Sequence, residues 1–390
     1  MKKIFLTILL LIFSSNAWAT YASKNVVTGG SAGNTLTNSV YEFNGVLVQI
    51  DDNTVLKFDR IGSDSDTDPR GIITRIACTL NAAKTTCTWG SETNIFDPGT
   101  DYSVANFFVR NKGDSLWMYI IKYPVSDLTH SVITLIKSTD IQGTSWGAET
   151  TIRADQVGRP NFGGWLTTAS ASINYLVLIG DSSICRICAL QNSDADATDT
   201  FTAGPTFLTG GTTDWGEGTC VNISGGRIIC VLRDNSSSPG HYLTQVNCTS
   251  YGQSCTAPTS TGLGTAGGIK VTPKLIQAAG HSDRLVTYFY DRGDARAKIS
   301  GPTLEDSAFN GNWIPIYLIG TNSQGNGNIT VIDSTNFKYL IYTAKQVGTP
   351  GAGGTTNTLW WILKDIYMNI RLGGATISTL NTNENSDGEE

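Results

Sequence analysis

Ser145-Trp146-Gly147 is one of five short stretches that return along the chain at nearly constant spacing. The others are Thr88-Trp89-Gly90, Thr200-Phe201-Thr202, Ser254-Cys255-Thr256 and Asn312-Trp313-Ile314. Their central residues, at positions 89, 146, 201, 255 and 313, are 57, 55, 54 and 58 residues apart. A period of this size is typical of solenoids, propellers and other arrays. In a circular array, the natural place for a functional site is the mouth of the central channel.

A second repeat runs in phase with the first. Six times, a turn residue stands before a β-rich apolar run, as in a tight hairpin turn that enters a strand. The six copies begin at Asn53, Gly113, Asn174, Gly226, Asp283 and Asn336. No long stretch shows helical periodicity.

The length of the chain suits six four-stranded units. Six units of about 56 residues fit within the 371 residues that follow a 19-residue leader. The sequence therefore predicts an all-β, six-bladed β-propeller over residues 39–373, with a long β-sandwich or a β-helix as the alternative. Residues 20–38 are expected to form an extended arm that helps to close the ring, and residues 374–390 a disordered acidic tail.

The leader has the three parts of a bacterial secretory signal. Lys2 and Lys3 are its charged part, residues 4–13 its apolar core and Ala17-Trp18-Ala19 its small-residue cleavage site. The apolar core is too short to span a membrane. We therefore expect cleavage after Ala19 and a secreted or periplasmic protein, without membrane insertion.

The composition of the exported chain limits its partners. Loss of the leader leaves 25 cations against 33 acids, a net charge of −8, which disfavours nucleic acid and anionic membranes. The sequence has no phosphate-binding glycine loop, metal-binding histidine pair or Gly-x-Ser-x-Gly turn, so neither a cofactor nor a bound metal is predicted. A monomer is expected.

All eight cysteines follow the leader, and an even number in an exported protein favours disulfides. Three pairs each bracket a turn and are predicted to be bonded, namely Cys78–Cys87, Cys220–Cys230 and Cys248–Cys255. Cys185 and Cys188 are left over. Their spacing also suits a zinc site, but no histidine lies near them.

The stretch Ser138-Thr-Asp140-Ile-Gln-Gly143-Thr-Ser-Trp146 resembles the Asp-box, or BNR repeat, of sialidase-like six-bladed propellers, a family related to bacterial exo-sialidases. The family pattern is Ser-x-Asp-x-Gly-x-Thr-Trp, and this stretch has one residue more. In such a turn the Asp caps the loop, the Gly supplies a positive φ and the Trp packs between blades. The resemblance implies the fold, since the motif lies on the face opposite the family's active site.

The fourth and first units resemble segments of the family's active site. Glu217 before a hairpin, and Arg233 at the end of its second strand, are similar to a Glu that activates a tyrosine nucleophile and an Arg that binds the substrate carboxylate. In the first unit, Arg60 followed by Asp66 resembles an Arg and the acid/base Asp. Asp64 and Asp68 are neighbours that could take the place of Asp66.

The fifth unit resembles the family segment that brings a further carboxylate-binding Arg, which corresponds to Arg292 or Arg296. Two family features are missing. Residues 40–46 contain no arginine where the family has Phe-Arg-Ile-Pro, and residues 327–330 lack the Gly-Tyr-Ser of the nucleophile. Tyr342 lies further along, in the middle of a predicted strand.

The ends of the six second strands can be compared without the family. They carry Arg60, Lys122, Asp181, Arg233, Arg292 and Lys345. Equivalent strand ends share one rim of a propeller, so these charges are expected to converge and to attract anions. The alternative is ordinary rim cations, each paired with a nearby carboxylate such as Asp59 or Asp291.

Glu217 follows Trp215 at the start of a predicted inner strand. A carboxylate beside an aromatic wall can act as acid or base, and two carboxylates that flank a sugar bond make a glycosidase site. Glu217 with Asp66 is the pair expected on one rim, although Glu217 could instead form a structural ion pair with Arg233. Trp215 could stack on a sugar ring, as could Trp117 and Trp165, or these rings could pack between blades.

Two hypotheses follow. In the first, the protein is a secreted sialidase-like glycoside hydrolase for acidic glycans: Asp66 and Glu217 are catalytic, and Arg60, Arg233, Arg292 or Arg296 and Trp215 bind substrate. In the second, it is a non-catalytic glycan-binding or adhesion propeller, which the missing arginine and tyrosine favour. A third possibility, a polysaccharide lyase, would need His241 as its base and a tyrosine near the mouth of the channel.

Overall fold

The structure is a computed structural model. It describes residues 28–30, 35–36, 41–62, 71–127, 129–157, 160–168, 173–180, 185–192, 201–209, 215–234, 242–263, 274–279, 285–291, 296–302, 313–321, 326–347 and 355–364. Nearly all regular structure in these segments is β-strand, with two short 3-10 turns at Ser224–Gly226 and Ser250–Gly252. No helix among these residues has the length and apolar character that crossing a membrane requires.

The described strands pair into six antiparallel sheets. Two short strands come first, β1 (Thr28–Gly30) and β2 (Thr35–Leu36). Sheet 1 contains β3 (Tyr41–Asp51), β4 (Thr54–Gly62), β5 (Ile72–Leu80), β6 (Cys87–Trp89) and β7 (Thr93–Phe96). Sheet 2 contains β8 (Tyr102–Asn111), β9 (Leu116–Pro124), β10 (His130–Lys137) and β11 (Thr150–Val157).

The remaining sheets follow the same order along the chain. Sheet 3 contains β12 (Asn161–Thr167), β13 (Asn174–Ile179), β14 (Cys185–Asn192) and β15 (Thr202–Thr209). Sheet 4 contains β16 (Trp215–Ile223), β17 (Arg227–Asp234), β18 (Tyr242–Thr249), β19 (Ser254–Cys255) and β20 (Thr259–Ser260). Sheet 5 contains β21 (Lys274–Gln277), β22 (Leu285–Asp291), β23 (Arg296–Pro302) and β24 (Trp313–Thr321). Sheet 6 contains β25 (Asn326–Asp333), β26 (Lys338–Val347) and β27 (Thr355–Lys364), and β1 and β2 both pair with β27.

The first strands of the sheets form a closed ring. β3 contacts β8, and contacts continue through β12, β16, β21 and β25 back to β3. Each pair of neighbouring sheets encloses one cluster of buried apolar side chains. These features confirm the all-β β-propeller fold predicted from the sequence. The blade number of six stays a prediction.

The second strands are buried on both faces. Every residue of β13, and all of β9 except its last, is buried. A strand covered on both faces reads as a continuous apolar run rather than as an alternating one. This is why the second repeat was visible in the sequence.

The turn at Asp140–Trp146 has the contacts expected of its sequence. The Asp140 carboxylate accepts hydrogen bonds from Thr144 N at 3.2 Å and Thr144 Oγ1 at 2.7 Å. The bond from the Thr144 side chain holds the pKa of Asp140 below its usual value. Gly143 has φ +61°, and Trp146 Nε1 donates to Gly143 O at 3.0 Å. The Trp146 ring then lies edge-on to Phe58 of sheet 1, with centroids 6.3 Å apart.

The three described turns of the first repeat share a backbone bond. Gly90 N donates to Ala77 O, Gly147 N to Lys137 O and Thr256 N to Asn247 O. Trp89, Trp146 and Cys255 each stand directly before the donor, so they occupy one position, as their spacing predicts. The hairpin of sheet 1 pairs for two further residues before its turn closes at Asn81 N to Thr86 O.

The three predicted disulfides are confirmed: Cys78–Cys87, Cys220–Cys230 and Cys248–Cys255 are bonded. Cys255 thus forms a disulfide at the position where Trp146 packs between sheets. Cys188 is also disulfide-bonded, which contradicts the alternative of a zinc site at this residue.

Candidate functional site

The first strands of sheets 1 and 4 each contain a β-bulge at the same point. In sheet 4 the pairing passes from Trp215↔Asp234 to Gly218↔Leu232, so residues 216 and 217 lie opposite Arg233. In sheet 1 it passes from Phe43↔Arg60 to Val46↔Phe58, so residues 44 and 45 lie opposite Asp59. A bulge re-aims the side chains around it and is common beside binding sites.

In sheet 4 the bulge brings two predicted site residues together. Arg233 Nη1 lies 3.0 Å from Glu217 Oε2. The side chains are 20% exposed for Arg233 and 23% for Glu217, although Glu217 Oε2 itself is buried. The ion pair that was the structural alternative for Glu217 therefore exists.

In sheet 1 the equivalent bulge is sealed. Asp59 Oδ2 lies 2.5 Å from Lys57 Nζ, and these side chains are 2% and 1% exposed. Tyr342 of sheet 6 donates its hydroxyl to Asp59 Oδ1 at 2.9 Å, and Lys57 Nζ lies 4.8 Å from the centroid of the Tyr342 ring. A Cβ atom on Gly45 would stand 1.2 Å from the Tyr342 hydroxyl. The glycine in the bulge thus makes room for the tyrosine.

The register corrects the alignment of strand ends. Asp59, not Arg60, occupies the position of Arg233, and a shift by one residue turns a side chain to the opposite face. Arg60 is 7% exposed and lies against Gly71, whose Cβ would stand 2.3 Å from Arg60 Nε. Arg60 therefore does not occupy the position of Arg233, and its meeting with the Glu217–Arg233 pair stays a prediction.

Lys274 is a residue that the sequence analysis missed. It begins β21, the first strand of sheet 5, is half-buried and pairs with Tyr288. Burial lowers the pKa of Lys274 to about 8, and this effect is opposed by the charges of Glu217 and Asp59. Since Glu217 belongs to sheet 4 and Asp59 to sheet 1, Lys274 interacts with both sides of the ring.

The structure describes only some of the other predicted site residues. Asp66 and Arg292 lie outside the described residues, as do Asp64, Asp68, Asp181 and His241. Trp215 begins β16 opposite Asp234, and Arg296 begins β23 opposite Asp291. The convergence of all these residues in one pocket stays a prediction.

Lys122 fits the alternative interpretation of the rim cations, in which each is paired with a nearby carboxylate. Its ammonium group lies 2.7 Å from Glu149 and 4.5 Å from the centroid of the Tyr102 ring. Two predicted stacking rings also have packing partners. Trp117 lies between Lys112 and Lys137, with 5.0 and 4.1 Å from its centroid to their ammonium groups. Trp165 stacks on Tyr119 with centroids 5.7 Å apart.

Tyr342 and Lys57 show what sequence reasoning could have found. A lysine between Leu56 and Phe58 in an apolar strand is a signal for a buried charge that needs a partner. The partner Asp59 stands two residues on, on the same face of the strand. Nothing in the sequence pairs this face with Tyr342, which is 283 residues away from Asp59.

No family model matches the chain, and no curated protein resembles it significantly. Solved structures do resemble it. A protein of unknown function from Dyadobacter fermentans aligns with TM-score 0.62 and 11% identity over 83% of this chain and 96% of that chain. A mutant of the NanB sialidase from Streptococcus pneumoniae aligns with TM-score 0.57 and 9% identity over 87% of this chain and 70% of that chain.

A mutant α-L-arabinofuranosidase from Fusarium graminearum, in complex with an iminosugar inhibitor, aligns with TM-score 0.55 and 11% identity over 88% of this chain and 100% of that chain. At such identities the likeness shows the propeller fold alone. The two named neighbours are glycoside hydrolases with different sugars, and one fold carries many functions.

Proposed function

We propose that the protein is an exported, six-bladed, sialidase-like propeller that hydrolyses acidic glycans at the mouth of its ring. The partly exposed Glu217–Arg233 pair carries this proposal. The six sheets and the closed ring of first strands support the blade number. The disulfides suit a secreted or periplasmic protein, because such bonds persist in oxidising compartments.

The proposed chemistry assigns a role to each group. Arg233 binds the anionic group of a terminal sugar with its planar fork, helped by Arg292 or Arg296. Asp66 donates the proton to the leaving oxygen, and Glu217 assists the nucleophile. Trp215 supplies an apolar wall for the sugar ring.

A non-catalytic glycan-binding propeller is the second candidate, and Tyr342 favours it. The resemblance implies a tyrosine nucleophile, but the Tyr342 hydroxyl is fully buried and donates to Asp59. A hydroxyl in this position cannot reach a sugar. Both candidates share the anion-binding Arg233, so they differ in turnover rather than in affinity.

One set of measurements tests both candidates. Arg233→Ala should weaken binding of an acidic glycan such as sialyllactose or trigalacturonate by about 2–4 kcal/mol, because a charge in the site loses its partner. Added salt should weaken binding by the wild type as well. Lys122→Ala is the matched control, since it opens an ion pair in another sheet. Its melting temperature can change while glycan affinity stays the same.

Glu217→Gln separates the candidates. If the wild type releases sugar and Glu217→Gln binds without turnover, the hydrolase proposal stands. If the wild type binds acidic glycans and releases sugar from none, the binding module is correct. Unchanged glycan affinity in Arg233→Ala would contradict both.

A further inference from the structure

Lys274 occupies a position on the inner side of the ring. β21, which it begins, contacts β16 with Glu217 and also contacts β25 of sheet 6. Lys274 pairs with Tyr288, whose ring faces the apolar cluster between sheets 5 and 6. Its charge interacts with Glu217 and with Asp59 across the ring. Lys274 and Glu217 thus stand on neighbouring first strands of the ring, within range of each other's charge.

The neighbouring cations are already engaged. Arg233 lies 3.0 Å from Glu217, and Lys57 lies 2.5 Å from Asp59. Both carboxylates near Lys274 thus have a closer cation. Among the described residues, no hydrogen bond or ion pair engages the Lys274 ammonium group. A half-buried ammonium group without a direct counter-charge is a site for an anion that comes from outside.

We propose that Lys274 is the ammonium group that receives the carboxylate of an acidic sugar beside the Glu217–Arg233 pair. This inference rests on the proposed function and names a residue that determines its specificity. Arg233 binds the same anionic group beside Glu217, while Lys274 supplies a positive charge that has no direct partner among the described residues. A neutral sugar leaves Lys274 without a partner and gains nothing from it.

The protonation of Lys274 gives this subsite a distinctive pH dependence. Burial lowers the pKa of Lys274 to about 8, so the amine is charged below pH 8 and neutral above it. Among the described residues, the titratable and charged groups of the surrounding elements are Tyr288, Tyr290 and Asp291 of β22, Glu217 of β16 with its partner Arg233, and Asp59 across the ring. The only titratable residue of β25 is Asp333, at the far end of that strand. Affinity for a carboxylated sugar should therefore fall as pH rises through 8.

The test compares the wild type, Lys274→Arg and Lys274→Met with four probes. These are sialyllactose, trigalacturonate, a sulfated galactose disaccharide and neutral lactose, each titrated by calorimetry from pH 6.5 to 10. For the carboxylated probe that binds, wild-type affinity should fall about tenfold or more across this range. Lys274→Arg should bind within about threefold of the wild type at pH 7 and show no such fall, because arginine stays charged.

Lys274→Met should bind the carboxylated probe about tenfold or more weakly at pH 7, independent of pH. Lactose should not distinguish it from the wild type. If the sulfated probe responds more strongly than the carboxylated ones, the anion is a sulfate and the inferred carboxylate is wrong. Should Lys274→Met fail to fold, the comparison of wild-type and Lys274→Arg affinities across the pH range tests the role of Lys274 without it.

The outcomes separate this inference from the proposed function. If Arg233→Ala weakens binding but Lys274→Met does not, or if the fall above pH 8 persists in Lys274→Arg, the role of Lys274 is wrong and the glycan site stands. If the wild type binds none of the anionic probes, both are overturned.

Discussion

Sheets 1 and 4 carry a bulge at the same place in their first strands, but they fill it in opposite ways. Sheet 4 has Glu217 in the bulge and Arg233 across from it, with about a fifth of each side chain exposed. Sheet 1 has Gly45 in the bulge and Asp59 across from it, and Tyr342 of sheet 6 fills the space that a side chain would take. One position is open and charged, and the other is closed by a neighbouring sheet.

The difference separates structural from functional charge. Asp59 has two direct partners and almost no exposure, so its interactions stabilise the joint between sheets 6 and 1. Removing one partner of such a buried pair is costly, because it leaves an uncompensated charge. Glu217 and Arg233 each keep about a fifth of the side chain exposed, so their ion pair contributes less to stability than the fully buried pair of Asp59 and Lys57.

The largest effect is expected for Gly45→Ala. The added Cβ would stand 1.2 Å from the Tyr342 hydroxyl and 2.7 Å from Asp59 Oδ1, so the tyrosine must move and Asp59 loses a donor. We expect a loss of about 3–5 kcal/mol in the free energy of unfolding, measured by urea denaturation. Glycan affinity of the folded fraction should not change.

A double variant checks the cause of this loss. Tyr342→Phe removes the atom in the closest clash, so Gly45→Ala should cost clearly less in a Tyr342→Phe background. Gly90→Ala is the control, because its nearest neighbour would be Ala77 O at 3.6 Å, an ordinary contact. Equal costs for Gly45→Ala in both backgrounds would show that the tyrosine does not decide the effect.

A smaller effect is expected for Tyr342→Phe alone. The variant removes one hydrogen bond to Asp59 but leaves the ion pair with Lys57 in place. The free energy of unfolding should fall by about 1–2 kcal/mol, and sugar release or glycan binding should stay at the wild-type level. Loss of turnover in a stably folded Tyr342→Phe protein would instead identify Tyr342 as the nucleophile. The bulge of sheet 1 would then be part of the functional site, which contradicts its structural role.

The fold was largely predictable, because its signals are local. Turn residues before apolar runs marked the second strands, and burial on both faces of β9 and β13 made those runs continuous. The disulfides also followed from local spacing. The spacing that aligned Trp89, Trp146 and Cys255 is local too, and each of them precedes a residue whose backbone N–H bonds to the third strand of its sheet.

The candidate site was predictable only where one hairpin holds it. Glu217 and Arg233 belong to adjacent strands, so their pairing could be expected from sequence. Arg60 was aligned with Arg233 by counting from strand ends. A bulge adds a residue to one strand of a pair, and the observed register shows that Asp59, not Arg60, corresponds to Arg233. Lys274 was missed because its position depends on the closure of the ring.

The smallest effect is expected for Glu149→Gln, which tests a partly exposed ion pair in sheet 2. Lys122 Nζ lies 2.7 Å from Glu149 Oε2, with side chains 10% and 30% exposed. The Lys122 ammonium group also keeps its contact with the Tyr102 ring, so the lysine is not left without a partner. We expect Glu149→Gln to reduce the free energy of unfolding by about 0–1 kcal/mol, and by less in 0.5 M than in 0.05 M sodium chloride, because salt screens exposed pairs. Glycan affinity should not change. A loss as large as that of Gly45→Ala would show that exposure does not distinguish the structural charges of this propeller from those available to a ligand.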